Sequence, residues 1–285
     1  MERPRPLPED VQFSAETHDL FMNHLKRSPA WIIRRDQITV HPHSPTKSFT
    51  ISPQDLQNEY LSPELASTIF SFKWIEDKLP DYALLAIAKS RKYHGITEFY
   101  YQWGFEESQH SQGEDFILEH TGSRTRYQME QEYLVNQQNP YVPPYEDPGM
   151  CLFFTLFQEG VTHEDYTGIA DTARAEGAVN VATILDLIGE DEAYHYGGLR
   201  SFVKLFVKHD PKGSKKDALE VAANFRIPAA SQLLNPWRER SAIIKAGGYK
   251  PKMLLRVLSQ TLTDAFGASQ EEIKEVFSHH KGRIY

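Results

Sequence analysis

Gly189-Glu190-Asp191-Glu192-Ala193-Tyr194-His195-Tyr196 is the stretch whose reading decides the fold. Glu192 and His195 stand three residues apart, a spacing that puts two side chains on one face of an α-helix. Extended backward, that face passes Leu185 and Ile188; extended forward, it passes Leu199 and Phe202. A carboxylate and an imidazole therefore sit in an apolar stripe. An ionised carboxylate buried without a partner costs several kcal/mol, a large part of an ordinary domain's stability, so this one must be protonated, paired or metal-bound.

Three further helical faces carry the same anomaly. Ser62-Pro63-Glu64 places an N-cap serine before a proline at the first helical position, and the helix it starts aligns Leu65, Ile69 and Phe72 with Glu76. Tyr100, Trp103, Glu107, His110, Glu114 and Ile117 keep helical spacing along a second face within a helical reading of residues 81–119. Glu114 has no evident partner and reads either as an outer group supporting the site or as a solvated one. On a third face, Leu152 and Leu156 precede Glu159, with Thr162 and His163 one turn later, in a helix running towards Glu176. The opening motif lies on a fourth helix from about Ala178 to His209, and residues 121–150, rich in Gly, Pro and polar groups, read as a crossover connection.

Elsewhere the pattern is plainer. Residues 1–12 read as a Pro-rich extended arm, and a helical pattern starts near Ser14 and reaches Trp31-Ile32 across Pro29. Residues 39–50, with His41 and His43, read as loop. Beyond Lys212 the helical pattern is broken by Pro228 and Pro236, with amphipathic pieces over Met253–Phe266 and Gln270–Phe277. No strand-rich block or repeat is visible. The expectation is one all-α domain over residues 1–285, a four-helix bundle core at about 14–215 with peripheral N- and C-terminal helices, the C-terminal extension covering about 216–285.

Two helices each giving a Glu and two each giving a Glu-x-x-His is the ligand pattern of carboxylate-bridged dimetal bundles. Glu76, Glu107 with His110, Glu159, and Glu192 with His195 present it in chain order. Four carboxylates bring four negative charges and two divalent ions neutralise them, which removes the burial penalty. Carboxylate and imidazole donors suit iron or manganese, and a dioxygen-activating role selects iron. With 12 histidines, about one Glu-x-x-His is expected by chance. The chain has two, both on apolar stripes, so the six residues together carry weight that neither pair has alone. Each pair follows another acid: Asp191 is placed to orient His110 across the bundle, and Glu106 to orient His195.

The bulk composition narrows the classes. The 285 residues include 40% hydrophobic side chains, enough for a packed core, while a net charge of −8 argues against nucleic-acid binding. No apolar run is long enough to span a bilayer, and the N-terminus lacks the features of a signal or transit peptide, so a cytoplasmic protein is expected. A single cysteine, Cys151, excludes a Cys-based metal site within one chain.

The chain resembles the soluble acyl-[acyl-carrier-protein] desaturases, ferritin-like di-iron enzymes typified by the plant stearoyl form, over most of residues 14–215. The resemblance lies in Ile75-Glu76-Asp77-Lys78-Leu79-Pro80, Trp103 to His110, Phe157-Gln158-Glu159 with Thr162, Asp191-Glu192 with His195, and Asp210-Pro211. It departs at Ser108-Gln109 and Ala193-Tyr194, where the family has Asn-Arg and Lys-Arg, and the interval from Glu76 to Glu107 is shorter, so the chain looks more like a bacterial branch. The resemblance implies a ferritin-like bundle holding two iron ions and dioxygen-dependent insertion of a cis double bond into an acyl chain on acyl carrier protein. It also implies a ferredoxin-type donor and a homodimer. Trp31, Asp191 and His110 would form an electron path, and Thr162 would stand on the oxygen side of the metals. The Phe153-Phe154 and Tyr100-Tyr101 helices are candidates for the acyl channel wall, and Arg34-Arg35, Lys212 with Lys215-Lys216, and Arg238 with Arg240 for docking acidic partners. Alternatives are a di-iron hydroxylase or N-oxygenase on a carrier- or CoA-linked substrate and a non-catalytic or iron-storage bundle.

Overall fold

The computed structural model describes residues 8–26, 30–34, 37–41, 49–233 and 236–278. Its elements follow in order as α1 (Pro8–Leu25), β1 (Ala30–Arg34), β2 (Gln37–His41), β3 (Phe49–Ile51), α2 (Pro53–Leu56), α3 (Pro63–Glu76), α4 (Leu79–Ser90), α5 (His94–His120), α6 (Arg126–Gln137), α7 (Pro148–Ala175), α8 (Val179–His209), α9 (Pro211–Asn224), α10 (Pro236–Lys245), α11 (Pro251–Phe266) and α12 (Gln270–Ser278).

Helices α3, α5, α7 and α8 form the ferritin-like four-helix bundle, with α7 packed along α8, α3 against α5 and α7, and α5 against α8. Their starts are chemically marked. Ser62 accepts from the Leu65 amide, and Asp147 accepts from the amides of Gly149 and Met150 beside Pro148. At the start of α8 a distant side chain does this work: Glu59 accepts from the amides of Asn180 and Val181 at 2.7 and 2.9 Å. The short link between α7 and α8 turns through Gly177 at φ 87°, a conformation only glycine adopts freely.

The core is two apolar halves. One gathers Ile69, Phe72, Ile117, Ile169, Leu185 and Ile188, and the other Phe99, Trp103, Leu152, Leu156, Leu199 and Phe202. On α5, α7 and α8 the boundary between the halves falls at or beside the carboxylates and imidazoles, and α3, which contributes to the first half alone, ends at Glu76. Around the bundle, α1 lies on α5 and α8, α4 on α5 and α7, and α9 and α11 on α7 and α8.

The structure corrects four sequence expectations. The N-terminal arm is helical from Pro8, because the prolines there precede or occupy the first turn, where a missing amide costs nothing. Residues 1–7 lie outside the described residues. Trp31-Ile32 belongs to a strand rather than a helix, and part of the expected loop at 39–50 is strand: β1, β2 and β3 form an antiparallel sheet in that order, with Ile32 opposite Thr39 and Ile38 opposite Ile51. These strands are short and rich in β-branched residues, too brief for alternation to register. The helical reading of 81–119 is broken between Ser90 and His94, where Tyr93 is extended. Gly198 lets His24 of α1 approach α8, where a Cβ would stand 2.6 Å from the imidazole.

Candidate metal centre

The structure brings Glu76, Glu107, His110, Glu159, Glu192 and His195 together, every one of them buried. Their ligand atoms form two overlapping quartets, Glu76-Glu107-His110-Glu192 and Glu107-Glu159-Glu192-His195, each with all four atoms within 4.8 Å of one another. Glu107 and Glu192 belong to both. The arrangement follows from the bundle: Glu107 and Glu192 lead the two Glu-x-x-His turns on α5 and α8, while Glu76 and Glu159 flank them from α3 and α7.

Both imidazoles face inward through Nδ1. His110 Nδ1 lies 3.4 Å from Glu107 Oε2 and 3.4 Å from Glu192 Oε1, and His195 Nδ1 lies 3.1 Å from Glu107 Oε1 and 3.2 Å from Glu159 Oε2. The outer nitrogens meet acids from the opposite helix. His110 Nε2 is 3.3 Å from Asp191 Oδ2, and His195 Nε2 is 2.9 Å from Glu106 Oε2. An acid at Nε2 holds the proton on that nitrogen and leaves the inward Nδ1 lone pair free for a ligand bond.

The electrostatics show what the cluster lacks without a cation. Burial drives Glu76 and Glu159 well above the ordinary glutamate range, with repulsion from Glu107 and Glu192 adding to both. Burial opposes ionisation of Glu107 too, but His110 and His195 override it and hold that carboxyl low. Burial is the largest single effect on the imidazoles and opposes their charging, but the surrounding acids together outweigh it, Glu107 with Asp191 and Glu192 at His110 and Glu106 with Glu107 and Glu159 at His195, so both are raised well above the usual histidine range. Glu159 Oε1 is buried with no hydrogen-bond donor, and Glu107 Oε1 is buried with His195 Nδ1 at 3.1 Å. Ligand atoms at right angles about 2.1 Å from an ion stand about 3 Å apart, close to the spacings found here. Oxygen and nitrogen donors, a buried acceptor without a donor and unbalanced acids all fit a pair of divalent ions.

A pH dependence follows with a definite sign. In the metal-free protein Glu76, Glu159, His110 and His195 hold protons more tightly than in the unfolded chain, so their contribution is present at mildly acidic pH and is lost as pH rises through the raised folded values. The melting temperature of metal-free protein is expected to fall between about pH 5 and 8, while metal affinity rises over that window as bound protons are displaced. Calorimetric scans with and without metal check this; a metal-free melting temperature that climbs over the same range would contradict it.

The remaining sequence candidates fall as follows. The Thr162 hydroxyl lies 2.8 Å from Glu192 Oε2, and also within reach of the Gln158 and Glu159 carbonyls at 3.1 and 3.2 Å. Trp31 lies in β1, which packs against α5, and its side chain is outside the described residues. So are the side chains of Arg34, Arg35, Arg238 and Arg240. Lys212 and Lys216 are exposed on α9, and Lys215 is engaged with Glu272 at 2.9 Å. Phe154 lines a crevice beside the centre with Tyr82, Trp103, Thr155 and Gln158, whereas Phe153 packs on Phe206 and Phe266 and Tyr101 faces solvent.

Beside the centre the structure settles Glu114 as a buried outer group and adds Tyr166, which escaped the sequence reading. Glu114, expected to lack a partner, is fully buried and accepts from Tyr166 at 3.1 Å. The Tyr166 hydroxyl is also 3.3 Å from Glu76 Oε1. Tyr166 lies two turns beyond Glu159 on the same face, so extending that face would have found it.

Among the described residues no helix is long and apolar enough to cross a membrane. A search of curated proteins returned no match. The comparison with protein families matches residues 23–264 to the fatty acid desaturases. That match spans the whole bundle and all six inward ligand candidates, and the chain accordingly belongs to the fatty acid desaturase family, whose chemistry is that of an oxidoreductase.

Proposed function

We propose that the chain is a dioxygen-dependent di-iron desaturase that introduces a cis double bond into an acyl chain carried on acyl carrier protein. The observation that carries the reading is the pair of quartets sharing Glu107 and Glu192. Glu76 and His110 would complete one iron position and Glu159 and His195 the other. Two iron ions there supply the redox chemistry by which dioxygen takes up two hydrogens from the acyl chain, together with two electrons and two protons, leaving an alkene and two waters.

The chain's own residues set the conditions. Asp191 and Glu106 hold the imidazoles with Nδ1 inward. Thr162 donates to Glu192 Oε2 and so restrains one shared carboxylate while keeping a hydroxyl next to the centre. The apolar halves above and below shield the centre from water on those two sides, which limits side reactions of a reactive centre. Trp31, with Asp191 and His110, is the electron route this reading implies from a ferredoxin-type donor.

The crevice between α4, α5 and α7, lined by Tyr82, Trp103, Tyr141, Tyr145, Phe154 and Thr155, is the place for the acyl chain. Its free volume of about 30 Å³ has room for a water or so, and on this reading its walls part when a chain enters. Lys212 and Lys216 are the exposed cations for an acidic carrier. A homodimer and a cytoplasmic location complete the proposal.

The test is anaerobic reconstitution with ferrous ion, followed by reductant, dioxygen and mass spectrometry of acyl carrier substrates. The expected results are about two irons per chain and a product two hydrogens lighter. A product heavier by one oxygen would make the enzyme a hydroxylase, and purified chain that binds no iron would sink both readings.

A further inference from the structure

The two halves of the centre share Glu107 and Glu192 and differ in what supports their own carboxylate. Glu159 faces His195 through Oε2, and its Oε1 has no donor. Glu76 has a support from outside the quartets. The Tyr166 hydroxyl lies 3.3 Å from Glu76 Oε1 and 3.1 Å from Glu114 Oε1. A phenol carries one proton and can also accept, so it can join the two carboxyl groups at once.

This link is set among packed rings. Tyr166 and Glu114 are both fully buried. The tyrosine ring meets Phe72 edge-on at 5.1 Å, Phe72 stacks on Tyr249 at 5.3 Å, and the His110 ring lies 6.3 Å away on the other side. Glu114 follows His110 by one turn of α5, so its backbone is tied to the residue that Glu76 would share an ion with. Glu114 Oε2 has no hydrogen-bond partner, which leaves Tyr166 as the contact that fixes this carboxyl.

We propose that Tyr166, held in place by Glu114, positions Glu76 and thereby sets the metal affinity of the half of the centre built on Glu76 and His110. The tyrosine is a positioning residue: it acts through Glu76. The inference rests on the two-metal reading above. A carboxylate held in one orientation loses less freedom on binding an ion than one that must be ordered, and loss of such an outer partner typically weakens binding by about 10–100-fold.

The test is anaerobic titration of full-length metal-free chain with ferrous ion, followed by calorimetry, for wild type, Tyr166→Phe and Glu114→Ala. Tyr166→Phe removes only the hydroxyl and keeps the packed ring. The expected result is a split titration: one ion per chain binds as in wild type and the second binds about 10–100-fold more weakly. Glu114→Ala is expected to give the same split, and Glu114→Gln, whose amide NH₂ can donate to the tyrosine oxygen and leave the phenol proton for Glu76, to restore most of the affinity. A general loosening of the fold would weaken both ions together. Wild-type uptake of two ions with an unsplit, unchanged titration in Tyr166→Phe, or equal weakening of both ions, would overturn the positioning role and leave the two-metal reading standing. Wild-type uptake of fewer than two ions would overturn both.

Discussion

Glu192→Gln is expected to eliminate desaturation and leave the chain binding at most one metal ion, while the metal-free protein becomes more heat-stable. Glu192 belongs to both quartets, so the neutral amide removes a charge and a donor from each half at once. The loss should exceed the roughly 10–100-fold that follows removal of an outer partner. Stability moves the other way as pH rises and Glu76 and Glu159 begin to ionise, because Glu192 repels both, two repulsions set against its one contact with the His110 imidazole at 3.4 Å. Relieving that repulsion by even 1 kcal/mol lifts the melting temperature by about 2–4 °C in a chain of this size. Glutamine keeps the volume and an acceptor for the Thr162 hydroxyl, so no cavity offsets the gain. Iron stoichiometry, product yield and metal-free calorimetry read the three effects separately. A variant that still binds two ions and turns over normally would remove Glu192 from the centre, and a lower metal-free melting temperature would refute the repulsion argument.

Glu106→Gln is expected to weaken metal binding by about 10–100-fold, mainly in the half that holds Glu159 and His195. The Glu106 carboxylate, 2.9 Å from His195 Nε2, can only accept, and so it keeps the imidazole proton on the outer nitrogen. A glutamine amide can turn its NH₂ to Nε2 instead, which moves the proton to Nδ1 and blocks the lone pair facing Glu107 and Glu159. Stepwise ferrous-ion titration should lose the half opposite to that lost in Tyr166→Phe, and the double variant should weaken both. An unchanged second step in Glu106→Gln would show that the acid does not set the tautomer. The pair of experiments thus distinguishes the halves by their different supports, Glu106 behind His195 and Tyr166 behind Glu76.

Much of the centre is legible in the chain because helical faces are local. Glu192 and His195, or Glu107 and His110, share a face by virtue of spacing alone, and Leu185, Ile188, Leu199 and Phe202 mark that face as inward. The six inward side chains and the four helices that carry them follow from such periodicity, and the crossover between the two pairs from the Gly, Pro and polar content of residues 121–150. The sheet of β1, β2 and β3 did not, since strands of five and three residues give a period-two pattern too little length to stand out. Glu114 was left open between an outer group and a solvated one for a related reason: its partner is on another helix.

The sequence by itself therefore determined which residues point inward and what charge they bring there, because those depend on spacing within one helix. Only the tertiary structure decided which faces meet and at what stagger. That stagger makes Glu107 and Glu192 the shared carboxylates, puts Glu59 at the start of α8, and sets Tyr166 of α7 between Glu76 of α3 and Glu114 of α5. The physical reason is that the burial driving helices together is non-directional: it rewards any inward face, whereas contacts at hydrogen-bond range are selected by the packing of side chains from several helices at once.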